Sequence, residues 1–238
     1  MLVTVQERFM VWQLDRPAAD NGVDETTMSA MEAGLAQLEA QTDELSCLVV
    51  RGDNKVFCTG LDASMLEVCF NDRAKFSSVV HRMSEILERM SALSQISIAC
   101  VDGNCRLGGV ELALACDLVL ASEGAQFTDG HLAYDAMPGG GATKRLPSRL
   151  GYGRALLFLL ESPVLSAGEA FKAGLVDEVV AAGSACERGT DLARSISKRN
   201  IALVQDLKTS VRAAMPAPPD KSFLRAFERS VIDRLAGD

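Results

Sequence analysis

The sequence predicts an α/β fold, because short apolar runs alternate with segments of helical periodicity. The runs with the length and composition of short buried strands are residues 9–14, 47–50, 96–101 and 118–121. Two intervening segments carry apolar side chains at helical spacing. The first contains Met28, Met31, Leu35 and Leu38, and the second contains Met83, Ile86, Leu87, Met90 and Leu93. This alternation favours layers built on parallel strands, and its spacing is not that of a closed eightfold barrel.

The C-terminal part of the chain has a different pattern. Strand-like runs stop after about Gly183, and only helical segments follow. These segments are residues 185–199, 201–214 and 221–235. The proline-rich stretch 216–219 separates the last two, because proline interrupts a helix. We therefore expect a core domain at residues 1–183 and a helical region at residues 184–238.

Composition excludes several classes of protein. The 238 residues are 48% hydrophobic, which is enough for a sizeable core, and the formal net charge of −8 disfavours a nucleic-acid surface. No apolar run approaches the roughly 20 residues of a membrane-spanning helix, and the N-terminus lacks the layout of a signal peptide. Seven cysteines without a CxxC pair fit reduced, mostly buried thiols. We expect a cytoplasmic protein that binds neither membrane nor nucleic acid, and no metal site, since there are only two histidines.

The most informative segment is residues 101–117, VDGNCRLGGVELALACD. An apolar run leads through Gly103 to the pair Gly108–Gly109, and a helical pattern that contains Glu111 follows. Glycines at such a junction permit backbone conformations closed to other residues, and N–H groups at a helix start favour negative charge. An anion-stabilising amide beside an acid/base group suits chemistry on a carbonyl compound.

A second glycine turn follows another apolar run, in KVFCTGLD at residues 55–62. The N–H after Gly60 belongs to Leu61, so two turns about 50 residues apart offer two donors for one oxygen. Glycine turns are common and usually structural. On spacing alone, both interpretations stay open: two structural turns, or an oxyanion hole.

Four motifs in order resemble the crotonase (enoyl-CoA hydratase/isomerase) superfamily. They are VFCTGLD at 56–62, IACVDGNCRLGGVELALACD at 98–117, MPGGGATKRLPSRLG at 137–151 and LSAGEAFKAGLVDEVV at 165–180. Family members typically carry AFxAGxD, PxIAxVxGxxxGGGxEL, PGxGGTxRLPRxxG and SAxEAxxxGLVxxV. The resemblance implies a crotonase-type spiral of repeated ββα turns with a C-terminal helical region. It also implies a homotrimer, often paired into a hexamer, in which that region covers the active site or packs on a neighbouring subunit.

The resemblance also implies roles for individual residues. The N–H groups of Leu61 and Gly108 correspond to the pair that binds a thioester oxygen in relatives. Glu111 aligns with the first of two catalytic glutamates, as a general acid or base. His131 stands where the second glutamate is expected, which departs from the pattern, although histidine titrates near neutrality and can serve as acid or base.

Three neighbours of His131 are alternatives for the missing carboxylate. Asp135 occupies a position where relatives usually have glycine, and we keep it as a third candidate catalytic group. Asp129 and Tyr134 lie close in sequence, and we expect Asp129 to be a solvated loop acid.

Recognition of the thioester carrier is harder to place, because the lysine of the usual Pro-Lys-x-x-Asn stretch is absent from DRPAADNG at 15–22. The candidates for binding substrate or coenzyme A (CoA) are Arg16, Gly60, Asp62, Lys75 and Gly109. Lys55 is an alternative contact, and for both lysines the competing interpretation is an ordinary solvated side chain. No separate cofactor is expected, since the substrate itself carries CoA or phosphopantetheine on an acyl-carrier protein.

The motifs predict an acyl-thioester lyase that hydrates 2-enoyl thioesters or dehydrates 3-hydroxyacyl thioesters. The segments FCTGLD at 57–62, VDGNCRLGG at 101–109 and MPGGGATKRLP at 137–147 also resemble crotonases of polyketide β-branching, which dehydrate or decarboxylate chains on a carrier protein. The decarboxylating kind uses a lysine in the region of Lys75 and a histidine in the last helix, where residues 226–229 contain none. Decarboxylation of a glutaconyl-type thioester and isomerisation with Glu111 as single base are the alternatives, and a non-catalytic subunit is a further one.

Overall fold

The computed structural model describes residues 1–69 and 72–215, which form ten strands, nine α-helices and two short 3₁₀ helices in those ranges. The strands are β1 Leu2–Gln6, β2 Phe9–Gln13, β3 Cys47–Arg51, β4 Val56–Cys58, β5 Ile96–Val101, β6 Asn104–Arg106, β7 Leu118–Ser122, β8 Gln126–Thr128, β9 Leu165–Ser166 and β10 Glu178–Val180. The α-helices are α1 Glu25–Ala40, α2 Ala63–Cys69, α3 Arg73–Ala92, α4 Gly108–Leu114, α5 Ala142–Leu150, α6 Tyr152–Glu161, α7 Ala167–Ala173, α8 Ala185–Ser197 and α9 Ile201–Ala213. The 3₁₀ helices are Pro17–Ala19 and His131–Tyr134.

The strands form two sheets, and the α/β prediction is confirmed. The larger sheet has the order β1-β2-β3-β5-β7-β10 and is parallel except for the β1–β2 pair. The smaller sheet has the order β4-β6-β8-β9, and only its β8–β9 pair is antiparallel. The pairs β3–β4, β5–β6 and β7–β8 each give one strand to each sheet before a helix follows. This repetition is the ββα spiral that the resemblance implied.

The small sheet corrects one detail of the sequence analysis. The glycine pair at residues 108–109 does lie between a strand and a helix, but the strand is β6, which was not predicted, and not the apolar run that forms β5. Strands β4, β6 and β8 have three residues each, which is too short for an apolar run or an alternating pattern to be recognised.

Both faces of the large sheet are buried at its central strands, whereas the edge strand β1 is exposed. On one face, Met10 and Trp12 of β2 belong to a large core with the apolar sides of α1 and α3. On the other, Phe9 and Val11 pack in a second core that includes α8. Burial on both faces explains why the central strands are continuous apolar runs.

The C-terminal helices α8 and α9 confirm two of the three predicted segments, and the third, at 221–235, lies outside the described residues. Helix α9 is joined to the core by Lys208, whose Nζ donates to Asp117 Oδ2 and to the carbonyl of Gln95, both at 2.6 Å. Six of the seven cysteines are buried, as predicted. Within residues 1–69 and 72–215, no helix combines the length and apolarity needed to cross a membrane.

Gly189 gives a test of how closely α8 approaches the sheet. An added Cβ would lie 2.1 Å from Cys100 Sγ. We expect Gly189→Ala to lower the free energy of unfolding by about 1–3 kcal/mol, the usual cost of overpacking a core. Urea denaturation measures the change, and the double variant with Cys100→Ala should recover part of the loss.

Gly153 is the matched control, because a Cβ there would meet no described atom within 4 Å. Gly153→Ala in α6 should raise stability by about 0.5–1 kcal/mol, the ordinary helix preference. Equal effects of the two substitutions would contradict the close α8–sheet contact.

Candidate active site

The two glycine turns meet at one edge of the small sheet. Strands β4 and β6 are parallel, with Cys58 paired with Cys105, so the chain leaves both strands at the same end. Gly60 has φ +90°, and a Cβ on it would lie 2.7 Å from both Cα and N of Gly108. A Cβ on Gly108 would in turn lie 3.7 Å from the Leu61 nitrogen. The backbones of the two turns are therefore in direct contact.

The turn at Leu61 is fixed by bonds on both sides of that residue. The N–H of Val23 donates to the Gly60 carbonyl at 2.7 Å, and the N–H of Asp62 donates to the Val23 carbonyl at 3.0 Å. The Gly60 N–H donates to Cys58 Sγ at 3.2 Å. Among the hydrogen bonds of the described residues, none is donated by the N–H of Leu61 or Gly108. Two neighbouring donors thus remain available to a ligand.

Gly109 has a packing role of its own. A Cβ at this position would lie 2.0 Å from the Cys58 carbonyl oxygen, so any side chain would separate α4 from β4. Gly60 and Gly109 were predicted to contact substrate. The close approach of Gly60 to Gly108, and of Gly109 to Cys58, is by itself a sufficient physical reason for glycine at both positions.

Leu107, just before Gly108, has a strained backbone. Its φ of 52° and ψ of −127° define a backbone conformation that favours glycine. The crotonase pattern has glycine at this position. Its N–H donates to the carbonyls of Thr128 and Asp129, both at 3.1 Å. The strain, of order 1–3 kcal/mol for such a residue, lies directly beside the two available donors.

Glu111 lies on α4 and is 4% exposed. Its Oε1 accepts the N–H of Ala142 at 3.0 Å, at the start of α5, where the helix dipole favours an anion. A Cβ on Gly140 would lie 2.7 Å from Glu111 Oε2. Arg145 donates to the Gly140 carbonyl at 2.5 Å and thereby fixes the glycine loop against the carboxylate.

His131 begins the second 3₁₀ helix, and its Nε2 lies 4.0 Å from Glu111 Oε2. The side chain is 16% exposed, so the pair is largely shielded from water. Burial lowers the pKa of His131, but the hydrogen bond with Asp129 and the negative charges of Glu111 and Asp129 raise it by more. The pKa therefore lies above the ordinary 6.5. The structure brings together the two residues that the resemblance implied.

The expectation for Asp129 was wrong, because this residue is fully buried rather than solvated. Its Oδ1 lies 2.9 Å from His131 Nδ1, and its Oδ2 accepts the His131 N–H at 3.1 Å. The reason is the turn after β8, in which Gly130 has φ +78° and directs the chain back over the aspartate. An Asp-Gly-His sequence is a turn signal that sequence reasoning did not use.

Asp135 and Tyr134 have more open surroundings. Tyr134 is 64% exposed, and Asp135 is exposed at the end of the 3₁₀ helix. Asp135 has φ 50°, which explains why relatives usually have glycine there.

Arg16, Asp62 and Lys75 line one cleft of about 350 Å³ next to the Leu61 turn. Arg16 donates to Asp62 Oδ2 at 2.7 Å and to the Gly22 carbonyl at 2.5 Å. Burial raises the pKa of Asp62, but hydrogen bonds from Ser64, Met65 and Arg16 lower it by more, to about 2. The ion pair of Arg16 and Asp62 therefore joins the segment after β2 to the segment after β4. Lys75 is an exposed cation at the same cleft.

Within residues 1–69 and 72–215, no three histidine, cysteine, aspartate or glutamate side chains are grouped so that they could bind a metal ion.

Comparison with known proteins identifies the family. A family profile described as enoyl-CoA hydratase/isomerase matches residues 4–233. The chain belongs to the enoyl-CoA hydratase/isomerase family. As a member of this family it is an enzyme, and the match covers nearly the whole sequence.

Three relatives illustrate the similarity. A 2,3-dehydroadipyl-CoA hydratase of Escherichia coli is 29% identical over 99% of this chain and 90% of its own length. A putative enoyl-CoA hydratase/isomerase, YngF, of Bacillus subtilis is 30% identical over 90% of this chain and 82% of its own. The crystal structure of an enoyl-CoA hydratase from Mycobacterium tuberculosis has 30% identity and a TM-score of 0.79, covering 96% of this chain and 97% of that one.

The strain at Leu107 can be measured by comparing two substitutions. Because φ is positive, Leu107→Gly should be more stable than Leu107→Ala by about 1 kcal/mol, in urea denaturation followed by circular dichroism. At the exposed helical residue Leu156 the order should be reversed by a similar amount, of about 1 kcal/mol. The same order of stability at both positions would argue against the strained conformation.

Proposed function

We propose that the enzyme adds water to 2-enoyl thioesters, or removes it from 3-hydroxyacyl thioesters, in the manner of an enoyl-CoA hydratase. The observation that carries the proposal is the adjacency of two available backbone donors, Leu61 and Gly108, with a buried Glu111–His131 pair nearby in the same fold. Family membership supports enoyl-CoA hydratase/isomerase-type activity in general, and the proposal narrows it to one reaction.

The donors at Leu61 and Gly108 are proposed to bind the thioester oxygen. Addition or loss of a proton at Cα passes through an enolate, whose charge lies largely on that oxygen. Amides fixed in advance need not reorganise as the charge develops, and one such donor typically contributes about 10²–10³ in rate. The bonds that fix Gly60, Val23 and Asp62 provide this rigidity for Leu61.

Glu111 and His131 are proposed to share the proton transfers. In dehydration, the Glu111 carboxylate takes the Cα proton, and protonated His131 gives a proton to the leaving hydroxyl, which departs as water. Hydration is the reverse, so both directions need one mobile proton on the pair. The raised pKa of His131 suits the role of acid at neutral pH.

The substrate carrier is proposed to be CoA, in keeping with the names of the relatives, with an acyl-carrier protein as the alternative. Lys75 and Arg16 line the cleft beside the Leu61 turn and are proposed to contact the carrier, with Asp62 positioning Arg16. Asp135, which is exposed and close to His131 in sequence, remains the third candidate catalytic group.

Decarboxylation of a glutaconyl-type thioester is the second candidate, because Lys75, which lies in the region where β-branching decarboxylases use a lysine, lines the cleft beside the Leu61 turn. The segment 226–229, where those enzymes have a histidine, lies outside the described residues. Isomerisation with Glu111 alone would require the same oxyanion donors.

We also propose assembly into trimers or hexamers. Helix α9 presents Leu203, Leu207 and Val211 at a spacing of four residues, each more than 60% exposed, which suits burial against a second copy.

Glu111→Gln tests the proposed base. The amide keeps an acceptor for the Ala142 N–H but cannot take a proton, so kcat for hydration of crotonyl-CoA should fall by about 10² or more. The exposed Glu123→Gln is the control and should retain wild-type activity. Full activity of Glu111→Gln would end the assignment. If the wild-type enzyme is inactive on crotonyl-CoA but decarboxylates a carrier-bound 3-methylglutaconyl substrate, the proposed reaction is decarboxylation and not hydration.

The pH dependence tests His131. Because the active pair carries one proton, kcat should fall as pH rises through the pKa of His131, which is displaced above 6.5. His131→Gln should lower kcat and remove this alkaline limb from the pH–rate profile. A limb that persists unchanged in the variant would show that another group titrates.

A further inference from the structure

Asp129 is the buried acid of the site to which the mechanism above gives no task. We propose that Asp129 is a positioning residue whose carboxylate fixes the imidazole of His131, with Nε2 towards Glu111 and Nδ1 permanently protonated. The proposal rests on the proposed function only in that His131 exchanges protons with the substrate. It concerns a contact of the free protein, which can be measured without an assay of activity.

Both oxygens of Asp129 are used by the same residue. Oδ1 lies 2.9 Å from His131 Nδ1, while Oδ2 accepts the His131 backbone N–H at 3.1 Å. The two contacts fix the ring and the backbone of His131 together. Since Asp129 is fully buried, its carboxylate cannot turn into water without opening the turn.

The backbone around Asp129 is itself restrained on two sides. Thr128 Oγ1 donates to the Ser162 carbonyl at 2.9 Å, and the Gly130 N–H donates to Ser162 Oγ at 3.1 Å. The Asp129 carbonyl accepts the N–H of Leu107 at 3.1 Å. The segment around Asp129 is thus connected to Ser162, at the end of α6, on one side. On the other side it is connected to the turn that contains Leu107 and Gly108.

The chemical consequence concerns the two ring nitrogens. A carboxylate only accepts hydrogen bonds, so Nδ1 must be the donor to Asp129. When His131 loses a proton, the proton leaves from Nε2, the nitrogen that lies 4.0 Å from Glu111. Proton exchange is therefore confined to the side of the ring that faces Glu111. Outer partners commonly select a histidine tautomer in this way.

The experiment uses the whole chain with ¹⁵N-labelled histidine. The sequence contains only His81 and His131, so the NMR signals are assigned with His131→Gln. In the wild type above its pKa, His131 should be the Nδ1–H tautomer. The tautomer is read from the two ring ¹⁵N shifts. This measurement needs no variant of Asp129, so poor folding of a mutant does not affect it.

Asp129→Asn should then remove the preference for the Nδ1–H tautomer and lower the pKa of His131. An amide can donate to Nδ1 through its NH₂ group, and it lacks the charge that favours imidazolium. We expect kcat to fall by about 10² or more with little change in KM, since a wrong tautomer affects the proton-transfer step. The alkaline limb of the rate profile should move to lower pH.

Asp102→Asn is the matched control. Asp102 is also buried, and it accepts the N–H groups of Ala185 at 2.9 Å and Cys186 at 3.1 Å, at the start of α8. Its substitution should lower the melting temperature but leave both the His131 tautomer and the position of the alkaline limb unchanged.

Two results would overturn the proposal. One is an Nε2–H tautomer of neutral His131 in the wild type, and the other is a His131 pKa that Asp129→Asn does not lower. If the enzyme fails to hydrate crotonyl-CoA while the tautomer and its dependence on Asp129 are as expected, the proposed reaction is wrong and the positioning contact stands.

Discussion

Strands β4 and β6 are hydrogen-bonded in parallel, with Cys58 paired with Cys105. Leu61 and Gly108 each follow these paired residues by three positions, so the register determines which two N–H groups meet. The backbones at Gly60 and Gly108 are too close for a side chain on either. A shift of one residue would reverse the faces of β4 and would separate the two donors. The site therefore depends on the pairing of two strands that have only three residues each.

The sequence predicts the long elements well, because buried strands and helices leave periodic apolar patterns. Met28 to Leu38 on α1 and the apolar run of β5 lie where periodicity places them. Three-residue strands leave no such pattern, and β6 was missed for that reason. Asp129 was misplaced because hydropathy assigns a loop acid to solvent, whereas its burial depends on a partner in the turn. Glu111 and His131 were located through motif alignment. The distance of 4.0 Å between His131 Nε2 and Glu111 Oε2 could be learned only from the three-dimensional fold.

Leu107 shows how the turn and the acid/base segment are coupled. Its strained backbone of positive φ is held by the carbonyls of Thr128 and Asp129, which accept its N–H, and by α4, which begins at the next residue. The same Asp129 binds the ring of His131. A displacement of Leu107 would therefore move the proposed oxyanion donor, Gly108, and the proposed acid, His131, together. Strain of this kind persists where the surrounding bonds over-determine the backbone.

In the proposed reaction, the charge of the cluster explains how His131 takes the place of a glutamate. Two glutamates that share one proton carry a net charge of −1, and like carboxylates at close range resist a second ionisation. An imidazolium beside Glu111 alone would make the cluster neutral. With the Asp129 carboxylate hydrogen-bonded to Nδ1, the net charge returns to −1, and His131 remains protonated to a higher pH than usual. Asp129 and His131 thus act as one unit, in which the aspartate restores the negative charge that is lost when a histidine stands in place of the second glutamate.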